Sequence, residues 1–305
     1  MLQEELIMNF KTVALLHPGN MGVTIGAAAA ASGARVIWAS HQRSKATQDR
    51  ARQAGLVDVE NLTNAVRASD VVLAVCPPHA ALELARSVAE HNFSGIYVDA
   101  NAVSRATAQQ IGATVTKAGA SFVDGGIIGS PVKRAGTTRL YLSGARASEV
   151  ADLFSGSMLD ARAIGEKPGA ASALKIAYAA WTKCTDALVL AIRALAVIEG
   201  VDKALLEEWA LSQPDLERRT IYAAEVSAPK AWRFVGEMRE IAATFEAAGL
   251  PTGFHDAATD IYERLAPFKN CTDPPPAVAA VVDTLCASSE RFSAEADPHT
   301  RITSR

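Results

Sequence analysis

Short apolar runs rich in β-branched residues alternate, through the first half of the chain, with alanine-rich stretches of helical spacing. Residues 12–16, 35–39, 56–59, 70–75, 95–99, 121–124 and 139–143 read as strands. Residues 23–32, 44–53, 62–68, 80–90 and 104–118 read as the helices between them. The run 70–75 is apolar almost throughout, as expected of a strand buried on both faces. Alternation of this kind predicts an α/β fold, with a doubly wound parallel sheet at the N-terminus. After Gly144 the strand signals fade, and from Pro168 onward nearly every residue favours helix. The stretch 170–199 holds no Gly or Pro and, as one helix, is about 45 Å long at ~1.5 Å per residue. That length suits a bridge between domains or a dimer seam. Further helices are expected at 203–211, 215–224, 232–248, 254–265 and 277–287. The expected organisation is an α/β domain over 10–167, an all-α C-terminal domain over 168–287 and a polar, disordered tail over 288–305.

Composition narrows the class. Of 305 residues, 49% are hydrophobic and 21% charged, with a formal net charge of -3. This is a soluble globular balance, and the absence of a Lys/Arg run argues against a nucleic-acid partner. The best membrane candidate, 177–198, contains Lys183, Asp186 and Arg193, so it reads as a buried helix rather than a span. Residues 1–9 are acidic at their start, lack the opening of a signal peptide and read as a short disordered lead-in. Cys76, Cys184, Cys271 and Cys286 form no CxxC pair and have no His at ligand spacing. They read as reduced, mostly buried thiols of a cytoplasmic protein, with no metal site.

The candidate chemistry begins at His17-Pro18-Gly19-Asn20-Met21-Gly22, between the first strand and an alanine-rich helix. A G-x-G-x-x-G turn in that place lets the main chain approach a pyrophosphate and aims a helix N-terminus at it. Here His17 replaces the first glycine, while Gly19 and Gly22 keep the other two. The motif is weak alone and strong in its context, which makes the α/β domain Rossmann-type; the alternative is a plain glycine-rich turn. After the second strand, the chain reads Trp38-Ala39-Ser40-His41-Gln42-Arg43-Ser44-Lys45, with no acid before Asp49. An acid there would hold the ribose 2′-OH of NAD. Arg43 with Ser40 and Ser44 suits a 2′-phosphate instead, which selects NADP. The alternative is a polar loop with a solvated arginine.

At this point the chain resembles the β-hydroxyacid dehydrogenase and 6-phosphogluconate dehydrogenase superfamily, which also holds the imine reductases. The resemblance spans roughly 12–265. Within the superfamily the chain is most similar to a group whose C-terminal domain is described as phosphogluconate-dehydrogenase-like. Pro18 to Gly22 fits the family turn after its first glycine. Cys76-Pro77-Pro78 matches the loop that passes over the cofactor. Asp99 to Ser104 matches D-x-S-T-x-x-P, which implies a nicotinamide contact for Asn101. Asp124-Gly125-Gly126-Ile127-Ile128-Gly129 matches the substrate loop D-A-P-V-S-G-G, so Gly126 and Ile128 are implied substrate residues. Gly169 and Lys175 keep the spacing of G-x-G-Q-x-x-K-x-x-N-N, whose lysine is catalytic in the hydroxyacid dehydrogenases. Ile128 replaces the serine that binds a substrate carboxylate, and Tyr178 and Ala179 replace the asparagine pair. The cofactor half of the pattern is kept, and the substrate half is rewritten.

Hydride chemistry belongs to the cofactor, so the protein must place a carbon and move one proton. Lys175 is the implied acid/base, and Tyr178 is the alternative donor. Lys175, Tyr178 and Thr182 stand at i, i+3 and i+7 and share a helix face, which brings Thr182 into the expected substrate site. Lys183 points elsewhere. A solvated lysine is the plain alternative for Lys175, and Trp181 reads as core or interface packing. Lys133, Arg134 and Arg139 suit an anionic substrate or a solvated loop equally. The expectation is an NADP-dependent dehydrogenase or reductase of small polar molecules, homodimeric through its helical domain. An imine reductase and a non-catalytic NADP sensor or scaffold are the alternatives.

Overall fold

The computed structural model describes residues 12–296, with side chains to residue 287. The expected lead-in at 1–9 and residues 297–305 of the expected tail lie outside the described residues. The chain divides into two compact units between Ile176 and Ala177.

The first unit runs β1 (Thr12–Leu16), α1 (Gly22–Ala31), β2 (Arg35–Trp38), α2 (Lys45–Gln53), β3 (Val57–Asp58), α3 (Leu62–Arg67) and β4 (Val71–Ala74). It continues with α4 (Ala81–Ala89), β5 (Ile96–Asp99), α5 (Arg105–Lys117), β6 (Ser121–Gly129), β7 (Thr138–Ser143), α6 (Ala147–Asp152) and β8 (Asp160–Gly165). The eight strands form one sheet in the order β3-β2-β1-β4-β5-β6-β7-β8. The first six are parallel, which is the doubly wound order expected of a dinucleotide-binding domain. Alternate residues feed two cores. Val13 and Leu15 pack with α1, α2 and α6, while Ala14 and Leu16 pack with α3, α4 and α5. Both faces are therefore covered, which is why these strands read as unbroken apolar runs.

The sheet differs from expectation at its far edge. β7 runs antiparallel to β6, and β8, absent from the sequence reading, pairs parallel with β7. β8 is largely exposed and carries Asp160 and Arg162. Its pairing comes from backbone hydrogen bonds, without the apolar run that marks a buried strand.

From Ala170 to Ile198 the chain forms one helix, α7, of 29 residues. The second unit adds α8 (Asp202–Ser212), α9 (Asp215–Tyr222), α10 (Ala231–Ala247), α11 (Gly253–Arg264) and α12 (Val278–Ala296). α9 stops short of the expected Ala224. A π-helical turn (Ala223–Ser227) and a 3-10 turn (Ala228–Lys230) follow it. Pro229 explains the break, since it has no N–H to continue an α-helix. α12 continues past Ala287 to Ala296, so the backbone of 288–296 is helical where a tail was expected. No helix among the described residues is long and apolar enough to cross a membrane.

Candidate cofactor and active site

Between β1 and β4 the strand order reverses, and the loops that leave their C-terminal ends frame a crevice suited to a ligand. The loop after β1 is the turn from His17 to Gly22. His17 adopts a left-handed backbone, φ +65°, the conformation for which a glycine is usual. Gly22 is required by close approach, because a Cβ there would lie 2.8 Å from the His17 carbonyl oxygen. A Cβ on Gly19 would meet nothing within 4 Å, so the main chain there faces open space. No side chain caps α1; the Val23 and Thr24 N–H groups donate to the Gly19 and Met21 carbonyls, and the positive end of the helix faces the turn.

Arg43 reaches this turn from the loop after β2. Its guanidinium donates to His17 Nδ1 at 2.8 Å, with a longer 3.4 Å approach to Nε2. Burial, and then the arginine charge, pull the His17 imidazole down to about 4, so it is neutral. Arg43 is half-buried, and among the described residues no ion pair involves it. Ser44 is the N-cap of α2, accepting from the Thr47 N–H, and the Ser40 carbonyl accepts from the Arg43 N–H. Open main chain at Gly19, an uncapped helix N-terminus and a guanidinium without a carboxylate together fit a dinucleotide phosphate group.

The loop after β4 is braced rather than open. The Cys76 N–H donates to Asn101 Oδ1 at 2.5 Å, and Asn101 Nδ2 donates to Asp99 Oδ1. Asn101 is buried, so its amide ties the ends of β4 and β5 together instead of standing free in the crevice. Asp99 is fully buried. Burial and the charge of Asp124 push its carboxyl up to about 7. Burial and Asp99 push the Cys76 thiol up to about 12, so it is no thiolate. Of the four free cysteines, Cys76, Cys184 and Cys286 are partly exposed and Cys271 is exposed, which corrects the reading of mostly buried thiols.

Asp124, on β6, caps α7. Its carboxylate accepts from Ser143 Oγ at 2.9 Å, the Gly169 N–H at 2.9 Å, the Ser172 N–H at 3.0 Å and Ser172 Oγ at 2.5 Å. Ser143 Oγ takes the N–H groups of Ala170 and Ala171, each at 3.1 Å. A carboxylate at the positive end of a 29-residue helix fixes where that helix starts. One turn on, Lys175 lies against β6: a Cβ on Gly126 would stand 3.0 Å from Lys175 Cβ and 2.7 Å from the Ala171 carbonyl oxygen. The missing side chain at Gly126 is what lets α7 pack there.

Residues 12–155 match the model for the NAD binding domain of 6-phosphogluconate dehydrogenase, and residues 196–265 match a domain of unknown function, DUF1932. An uncharacterized 28.5 kDa protein in the 7S RNA 5′ region of Methanothermus fervidus is 32% identical over 165 residues. The match takes in 54% of this chain and 63% of that protein, less than two thirds of its length. Among solved structures, a conserved protein of unknown function, described as structurally similar to 3-hydroxyacid dehydrogenases, is 26% identical. It covers 84% of this chain and 97% of its own, with a TM-score of 0.66. 3-Hydroxyisobutyrate dehydrogenase from Salmonella typhimurium shares the fold at 16% identity and TM-score 0.65, covering 90% and 99%. A reductive aminase from Aspergillus terreus, solved with NADPH and ethyl levulinate, does so at 16% and 0.54, covering 90% and 99%. The two family matches and the shared fold support the β-hydroxyacid dehydrogenase-like superfamily.

With the superfamily in view, the expected site residues fall into two groups. The first unit gathers Pro18 to Gly22, Arg43, Cys76 and Asn101 at the strand ends, and Lys175 beside Gly126. Ile128 is buried within β6, opposite Arg139, and its side chain is 4% exposed. Tyr178 and Thr182 follow on α7 in the second unit. Tyr178 is 45% exposed, while the Thr182 hydroxyl donates back to the Tyr178 and Ala179 carbonyls. Trp181 is 67% exposed, so it is not the core residue that one reading made it. Lys183 forms a largely buried ion pair with Glu237 at 2.9 Å. Asp99, Asp124, Ser143 and Ser172 were not singled out by the sequence, although each positions a residue that was.

Proposed function

We propose that this chain is an NADP-dependent oxidoreductase that transfers a hydride between nicotinamide and a small polar substrate of hydroxyacid-dehydrogenase type. The observation that carries the reading is Arg43, a half-buried guanidinium without a carboxylate, held at the phosphate-binding turn by His17. A 2′-phosphate supplies the counter-charge that Arg43 otherwise lacks. When bound, the cofactor supplies or accepts the hydride. The main chain at Gly19 and the α1 N-terminus bind the pyrophosphate, and Arg43 with Ser40 and Ser44 binds the 2′-phosphate. Lys175 is the acid/base that moves the proton, seated beside Gly126 by the Asp124 cap, and Tyr178 is the second candidate. The test is fluorescence titration with NADPH and NADH, followed by turnover of Lys175→Ala and Tyr178→Phe on a panel of 3-hydroxy acids. The reading requires tighter NADPH binding and loss of turnover in one variant with NADPH affinity kept. Full turnover in both variants would remove the catalytic assignment, and NADPH binding without turnover of any substrate would mark a sensor.

Imine reduction is the second reading. The reductive aminase shares the fold, and Ile128 puts a buried apolar side chain where a carboxylate-binding serine is expected. Cyclic imines assayed beside hydroxy acids separate the two.

We also propose a homodimer. Trp181, Leu188 and Leu195 recur every seven residues along α7 and are 67%, 55% and 57% exposed. A seven-residue repeat keeps a stripe on one helix face. Light scattering should give twice the chain mass, and Leu188→Glu should shift it toward the monomer.

A further inference from the structure

His17 is anomalous in its own turn. A β-substituted residue stands at φ +65°, where glycine costs nothing, and its ring is spent on a partner from another loop. Arginine can only donate, so the ring nitrogen at 2.8 Å, Nδ1, must accept. A neutral imidazole then carries its proton on Nε2, which lies 3.4 Å from the second guanidinium nitrogen, so the whole ring is set against Arg43. No carboxylate competes for Arg43 among the described residues, and burial pulls its pKa below the usual arginine value. An anion at this point meets a guanidinium whose rotamer is already fixed by the imidazole. Fixing the long arginine side chain in advance removes an entropy cost from binding.

We propose that His17 is a specificity-determining residue of the cofactor site: its imidazole holds the Arg43 guanidinium across the phosphate-binding turn, and the pair together recognises the 2′-phosphate that distinguishes NADP from NAD. This inference rests on the NADP reading and deepens it. The glycine that His17 replaces would leave Arg43 unanchored, so the histidine is kept for selectivity at the expense of backbone ease.

The experiment is calorimetric titration of the full chain with NADP+ and NAD+, for wild type, His17→Gly, His17→Asn, Arg43→Ala and the His17→Gly/Arg43→Ala double variant. Glycine suits the left-handed backbone better than histidine, so His17→Gly should fold, and its NAD+ affinity serves as the check. Expected is a preference for NADP+ over NAD+ about tenfold smaller in His17→Gly, the scale of one charge-assisted hydrogen bond. His17→Asn should restore much of the loss, because asparagine tolerates the backbone and can accept from Arg43. The double variant should bind NADP+ no more weakly than Arg43→Ala alone, since His17 acts with Arg43. If wild type prefers NADP+ and His17→Gly keeps that preference in full, the role of His17 is overturned while the cofactor reading stands. If wild type binds both dinucleotides equally, the cofactor reading itself is overturned.

Discussion

Replacing Asp99 by asparagine tests the cluster at the strand ends with a predictable sign and size. The Asp99 carboxyl is fully buried at the end of β5, and one oxygen accepts from Asn101. The other oxygen has no hydrogen-bond partner among the described residues, nor has the neighbouring Tyr97 hydroxyl. Burial, with a smaller push from Asp124, raises the carboxyl from 3.8 to about 7 against the pull of its Asn101 hydrogen bonds. A shift of about three units corresponds to about 4 kcal/mol at ~1.36 kcal/mol per unit. The folded state holds this proton more tightly than the unfolded chain does. Its contribution to stability is therefore complete below pH ~4 and is lost as pH rises to about 7. Asp99→Asn keeps an acceptor for Asn101 and cannot ionise. Urea unfolding of both proteins across pH 4 to 8 isolates the residue and the groups coupled to it, because titrations distant from Asp99 cancel in the difference. The two should be nearly equal at the acid end, and the variant should be more stable by up to about 4 kcal/mol at the alkaline end. Curves that stay parallel across the whole range would refute the reasoning.

Asn101→Ala leaves the Cys76 N–H without its acceptor, which should cost about 1–3 kcal/mol in urea unfolding and weaken NADPH binding through the loop after β4. Asp124→Ala strips four donors of a charged acceptor at the start of α7. At roughly 1.5–3 kcal/mol per such bond, it should lower the unfolding free energy by more than about 3 kcal/mol. Gly126→Ala drives a methyl to 2.7 Å from the Ala171 carbonyl oxygen and against Lys175, so α7 must shift. Turnover should fall well below wild type while NADPH affinity, measured by titration, stays near it, and stability should drop by about 1–3 kcal/mol.

Strands buried on both faces were legible because their residues are apolar almost without interruption; 13–16 and 71–75 announce themselves in this way. β8 was not, since an exposed edge strand held by backbone bonds carries no hydrophobic signature. The tight turn between β1 and α1 was legible from two glycines in a fixed context, and Arg43 was singled out by the absence of an acid around it. What could not be read is the meeting of side chains distant in sequence. Asp124 falls within the motif that suggested a substrate loop, yet its carboxylate serves Ser172, 48 residues on. Asn101 looked like a nicotinamide contact by its place in the chain, but burial turns its amide inward to Asp99 and Cys76. In each case the residue type was right for polar work, and only the packing decides which polar partner it meets.

The two sides of the crevice consequently answer to different physics. On the proposed phosphate side, the candidate groups are the main chain at Gly19, the α1 N-terminus and the half-buried Arg43, so substitutions there should change affinity with little change in stability. On the strand-end side, the groups near the expected reacting carbon are positioned by buried carboxylates. Asp124 sets the start of α7 and through it the place of Lys175, while Asp99 holds Asn101 and through it the loop at Cys76. Burial makes each of those contacts strong and each broken one costly, so substitutions on this side should lower stability and turnover together. A loss of turnover here therefore argues for a catalytic role only where the folded state survives unchanged, and Lys175, partly exposed on α7, is the residue to test against that condition, by urea unfolding of Lys175→Ala beside its turnover.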